Sequence, residues 1–64
     1  MLQFTDLNDI FHMIHIHNVN HVQFRKTPTN TVVSFHFNGG QHVVPVTVGP
    51  ETATDIAKKL GELK

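Results

Sequence analysis

Apolar and polar residues alternate over several stretches of this chain, and at Gly49-Pro50 the rhythm gives way to a helical one. Leu2 and Phe4 alternate with Gln3 and Thr5, the period of two that marks a half-buried strand. Asp6, Asn8 and Asp9 around Leu7 then signal a turn. Over residues 6–13 strand, turn and helix all stay open, because Leu7, Ile10, Phe11 and Ile14 also fall at i, i+3, i+4 and i+7 behind Thr5 as a helix N-cap. From Ile14 onward the alternation is plain, with Ile14 and Ile16 facing one way and His15 and His17 the other. With Asn18, Val19 and Asn20 as a loop, the pattern predicts a hairpin in which His17 faces His21, Ile16 faces Val22 and Ile14 faces Phe24. Arg25 to Asn30 read as a polar loop in which Pro28 keeps Thr27 extended.

The strongest local signal is Asn38-Gly39-Gly40, residue types that tolerate the positive φ of a tight turn. Its flanks put Val33, Phe35 and Phe37 on one face, and these match Val44, Val46 and Val48 when the loop holds an even number of residues. Pro45 cannot donate to a ladder, so the strand from Gln41 to Val48 lies at an edge or turns that position outward. Gly49 ends the strand, and Pro50 suits the first position of a helix running to about Leu63. Ala53, Ile56, Ala57, Leu60 and Leu63 form its apolar stripe, with Glu51 and Asp55 toward the positive end and Lys58, Lys59 and Lys64 toward the negative end.

These elements predict an α+β fold: a small antiparallel sheet of three to five strands within residues 2–48, with one C-terminal amphipathic helix, about 50–63, packed on one face. The covered face carries Ile14, Ile16, Val22, Phe24, Val33, Phe35, Val44 and Val46. The reverse face carries His15, His17, His21, Ser34, His36 and Thr47, but also Phe11, Met13, Val32, Val43 and Pro45. Those five apolar residues make the reverse face a contact surface for another protein.

Size sharpens this expectation. A chain of 64 residues builds a single domain, 1–64, with one modest core, and such scaffolds usually need a staple. Disulfides are excluded by the lack of cysteine, which leaves packing, a metal or self-association. Five basic and five acidic residues cancel, so no long-range field gathers nucleic acid or an anionic membrane. No apolar run approaches the length that spans a bilayer, and no basic-then-apolar leader opens the sequence, so a soluble cytoplasmic protein is expected. The six histidines are the compositional oddity, and their protonation would carry the net charge toward about +6.

Three imidazoles, those of His15, His17 and His21, converge in the predicted hairpin and form a candidate zinc site, the only cofactor the sequence suggests. The spacing matches no dedicated zinc motif, and a half-exposed strand histidine is ordinary. His36 and His42 flank the Asn-Gly turn, and His12 shares parity with Ile14 and Ile16, a rim or core position. Ser34 and His36 do not make a nucleophile and base, because side chains two apart on a strand point in parallel and no third group orients the imidazole. Asp6 and Asp9 belong to a turn, Glu51 and Asp55 to a helix start, and Asn38-Gly39-Gly40 lacks the lysine and helix of a phosphate loop. Phe24, Phe35 and Phe37 face the core rather than an RNA-binding surface. No catalytic residue is assigned.

Phe4-Thr5-Asp6-Leu7-Asn8, Val19-x-x-Val22, the Asn38-Gly39 turn and the terminal helix together resemble the small flagellar FlbD/SwrD family and similar short phage open reading frames. The Arg25 to Asn30 loop is longer here and the histidines are additional. The resemblance implies a non-enzymatic accessory protein, in the host cytoplasm if phage-encoded, and carries over no functional residue. The combined expectation is an interaction module that forms a small homo-oligomer or regulates or inhibits a larger protein, with a histidine metal-binding domain as the alternative and a nucleic-acid-binding sheet as a weaker one.

Overall fold

A computed structural model describes residues 1–39 and 42–62. Among the described residues five strands and one helix follow in order: β1 (Leu2–Thr5), β2 (Phe11–Ile14), β3 (Val19–Lys26), β4 (Thr31–Phe37), β5 (Val43–Val48) and α1 (Pro50–Glu62), with a 3-10 turn at Ile16–Asn18. The strands form two antiparallel sheets, a β1-β2 pair and a three-stranded sheet in the order β3-β4-β5. The α+β class and the C-terminal helix are therefore as the sequence predicts. Gly40, Gln41, Leu63 and Lys64, to which turn, strand and helix roles were assigned, lie outside the described residues.

The opening stretch resolves as strand, turn, strand. Leu2 pairs with Ile14 and Phe4 with His12, so the buried side of this hairpin carries Leu2, Phe4 and Ile14. The loop is held by Asp6, whose Oδ1 accepts the N–H groups of Asn8 (2.8 Å) and Ile10 (3.0 Å). Asp9 takes the left-handed φ of 64° that a short polar residue tolerates.

The predicted pairing of residues 14–17 with 21–24 is not formed. Ile14 finds its partner in Leu2, and the chain then coils at Ile16–Asn18, where the Asn18 N–H bonds His15 C=O at 3.1 Å. Asn38 fixes this coil to the far end of β4, donating from its backbone to Asn18 C=O (2.7 Å) and from its side chain to His17 C=O (3.3 Å). Val19 and Asn20, expected in a loop, consequently open β3, and β3 pairs with β4: Val22 with Phe35 and Phe24 with Val33.

The β4–β5 register follows the predicted parity, with Phe35 opposite Val44 and Val33 opposite Val46. Gly39 supplies the positive φ, 75°, that this turn requires. At the next junction Gly49 C=O accepts the Ala53 N–H at 3.0 Å, which starts α1 with Pro50 where no amide hydrogen is needed.

Helix α1 packs against β1 and β4 and buries Ala53 and Ile56, with Leu60 partly covered. The core is Leu2, Phe4, Ile14, Val33, Phe35, Val46, Val48, Ala53 and Ile56. The rings of Phe4 and Phe35 stack at 5.9 Å and join the two sheets. Two core assignments change. Phe24 and Ala57 are exposed, because the helix lies over β1 and β4 and leaves the β3 flank open.

Candidate interaction surfaces

The apolar residues expected to form one contact face are divided between the two sheets. Phe11 and Met13 sit on β2, opposite Thr5 and Gln3, and point away from the side that buries Leu2, Phe4 and Ile14. Each is 57% exposed. Leu7 and Ile10 in the adjoining loop are also more than half exposed, so the hairpin presents apolar side chains on both its strand and its tip. Val32, Val43 and Pro45 lie on the outer face of the three-stranded sheet, Val43 and Pro45 exposed and Val32 half-buried. Leu7 and Ile10 were not assigned to the contact from sequence, because turn residues carry no periodicity to orient them.

The hairpin is held rigidly. His12 Nε2 lies 2.7 Å from Asp6 Oδ2, and with the hydrogen on Nε2 the imidazole donates to the carboxylate. The same imidazole stacks on Phe4, with centroids 5.0 Å apart. This contact with His12, followed by the N–H groups of Ile10 and Asn8, holds the Asp6 carboxyl below its ordinary value. The pair fixes β1, the turn and β2 to one another, a structural role that uses both polar groups. The sequence signal was present in an aspartate opening a polar turn, six residues before a histidine on the buried side.

The candidate zinc ligands are not gathered as the predicted hairpin required. His15 precedes the 3-10 turn, His17 lies within it, and His21 stands on β3 across from His36. The rings of His21 and His36 meet edge to face at 5.1 Å, and His36 Nε2 contacts Gln23 Oε1 at 3.1 Å. Among the described residues, no three histidine or acidic side chains converge as metal ligands. Ser34 lies opposite Gln23 and Pro45.

An open groove of about 420 Å³ runs between β3 and α1, lined by Ile16, Val19, Val22, Phe24, Ala57 and Leu60 among others. It is the flank left open by the placement of the helix. Among the described residues, no helix is long and apolar enough to cross a membrane.

The fold thus defines a small α+β domain with an apolar hairpin on one side and an open strand edge on another. In comparisons with known proteins no family model matches the chain, nor does any curated protein or solved structure.

Proposed function

We propose that this chain is a non-enzymatic protein–protein interaction module that regulates or inhibits a larger protein through the outward face of the β1–β2 hairpin. The observation that carries the reading is the exposure of Phe11 and Met13 side by side on a strand whose backbone is fixed from behind by Asp6, His12 and Phe4. Exposed strand residues at i and i+2 project from the same face, so both can enter one apolar site on a partner. Burying a large apolar side chain is worth about 1.5–3 kcal/mol, so two half-exposed ones retain a useful part of that for binding. A rigid hairpin also loses little conformational entropy when it docks.

The resemblance of Phe4-Thr5-Asp6-Leu7-Asn8 and the Asn38-Gly39 turn to the FlbD/SwrD family and short phage reading frames agrees with an accessory role. The balanced charge, five basic against five acidic residues, favours apolar docking over capture of a polyanion. The test is affinity capture from the native cell with the wild-type chain and with Phe11→Ser/Met13→Ser in parallel, each checked by circular dichroism. A partner held by the wild type and lost by the folded double variant supports the reading. Equal capture by both, or capture by neither, refutes the hairpin as the docking face.

A further inference from the structure

The three-stranded sheet has two edges, and they are finished differently. On β5 the Phe37 N–H bonds His42 C=O, which sets the alternation of bonded and non-bonded pairs along β4–β5. Along the register Phe35 and Val44 form a bonded pair, whereas His36 with Val43, Ser34 with Pro45 and Val32 with Thr47 are non-bonded pairs whose β5 backbone groups face outward. Pro45 has no N–H to present there, and Thr47 C=O is taken by the Leu7 N–H at 3.0 Å. The β5 edge is therefore capped in part, at the Pro45 nitrogen and the Thr47 carbonyl, and of its outward-facing residues Val43 alone keeps both backbone groups clear of these caps.

The β3 edge is open. The Thr27 N–H bonds Asn30 C=O at 2.8 Å, which makes that pair bonded. Along the ladder Arg25–Val32 and Gln23–Ser34 are then bonded pairs, while Val22–Phe35, Phe24–Val33 and Lys26–Thr31 are not. The backbone N–H and C=O groups of Val22, Phe24 and Lys26 accordingly point away from the sheet. Among the described residues, no turn, loop or cap hydrogen bond reaches them. Their side chains stand on the helix side, where Val22 and Phe24 line the apolar groove beside α1. Phe24 remains 41% exposed.

We infer that β3 is a self-pairing edge: a second copy of the chain adds its own β3 antiparallel to the first, joining two three-stranded sheets into one across a two-fold axis at Gln23. Three observations select this occupant and this register. The side-chain period of two requires directly opposed residues to share a face, so the register sum must be even. The regular part of the edge runs from the irregularity between Val19 and His21 to Lys26, and of its two central even registers the axis at Gln23 sets Val22 against Phe24, whereas an axis at Phe24 would set the charged Lys26 against Val22. With the axis there, Val22 of one copy lies opposite Phe24 of the other, both on the helix side and both with outward backbone groups, so each symmetric pair exchanges two N–H···O=C bonds. Antiparallel pairing also puts Arg25 and Lys26 of the two copies at opposite ends of the seam, which avoids like-charge contact, and the chain's zero formal charge adds no long-range repulsion. The groove is completed from both sides, which covers the phenyl ring that the helix leaves exposed.

This inference belongs with the reading of the chain as an interaction module, but it uses a different surface from the hairpin. Its test is sedimentation or light scattering of the wild type, Gln23→Lys, Gln23→Glu and their equimolar mixture. Gln23 is exposed and meets its own copy at the axis, so either charged variant sets like charges side by side while leaving the core untouched. The wild type should be a dimer at about 1 mM, a concentration at which even a millimolar dissociation constant is visible. Each charged variant should weaken dimerisation at least about tenfold, and the mixture should restore it. Phe24→Pro removes an outward N–H without breaking a bond to β4 and should be monomeric with retained far-ultraviolet dichroism, whereas Phe11→Ser/Met13→Ser should dimerise like the wild type. A monomeric wild type, or a dimer indifferent to charge at position 23, overturns the proposal. A dimer lost only in the hairpin variant overturns it also and assigns self-association to the hairpin.

Discussion

Replacing Ile56 tests how the helix contributes to the core, and the structure sets the size of the effect. Ile56 is fully buried and, with Ala53 and the partly covered Leu60, makes the apolar contact of α1 with β1 and β4. Ile56→Val removes one methylene and should cost about 0.5–1.5 kcal/mol. Ile56→Ala removes three carbon atoms and leaves a cavity that neighbouring strands cannot fill by collapse, so about 2–5 kcal/mol is expected. A domain of this size holds roughly 3–5 kcal/mol in all, so the alanine variant loses most of its stability while the valine variant remains folded. At about 4–8 °C per kcal/mol, valine should lower the melting temperature by roughly 5 °C. Far-ultraviolet circular dichroism is the suitable probe, because the chain has neither tryptophan nor tyrosine. Measurements belong at one protein concentration, since a self-associating chain melts higher when concentrated. An alanine variant that melts with the wild type would refute the docking of α1 through Ile56.

Two further perturbations address the turns. Asp6→Asn keeps an acceptor for the N–H groups of Asn8 and Ile10 but removes the charge facing His12. The Asp6 carboxyl is depressed in the folded state below 3.8, so its contribution is present above that value and is lost as pH falls through the folded value. The melting temperature of the wild type should exceed that of the variant at about pH 6, and the gap should close toward about pH 2; a constant gap would refute the pairing. Gly39→Ala meets no atom within 4 Å, so only the φ of 75° resists it. The net cost should be about 1 kcal/mol by thermal melting, the left-handed penalty less the lower entropy of the unfolded chain, and no loss would place Gly39 in another conformation.

The parts of the fold legible in the sequence are those where independent signals coincide. For α1, the proline at the first position, the acidic start, the basic end and the 3.6-residue stripe all agreed, and the helix begins at Pro50 as expected. For β4–β5, the parity of Phe35 against Val44 followed from the turn and the core together. The β1–β2 pairing was not legible, because a four-residue strand offers only two inward residues, and Leu2 with Phe4 would suit many partners. His15 and His17 extended the alternation past Ile14, but the capture of Asn18 and His17 carbonyls by Asn38, 20 positions or more along the chain, coils that segment. Phe24 shows the limit of periodicity from the other side. Its parity was read correctly, since it lies opposite the buried Val33, yet it is exposed because the position of α1 over β1 and β4 is a tertiary choice. The same limit applies to the contact residues: alternation against Ile14 points Phe11 and Met13 outward, but nothing local says that they stand on a different sheet from Val43 and Pro45.

The unequal finishing of the two sheet edges connects these observations to function. Leu7 donates to Thr47 C=O and its side chain lies over Gly49, so the β1–β2 hairpin itself helps close the β5 edge. Its outward face, with Phe11 and Met13, is thereby mounted on the sheet rather than on a free loop, and a partner can press on it without opening the core. The proposed self-association uses β3, the edge of the three-stranded sheet opposite β5, so the Leu7 contact on β5 is not part of that seam. Such a dimer offers two identical docking faces to a larger partner, and where both can engage at once the second contact forms at the high effective concentration set by the first. On the proposed reading, a weak apolar site of two side chains in each copy would suffice for a contact that neither copy could hold alone.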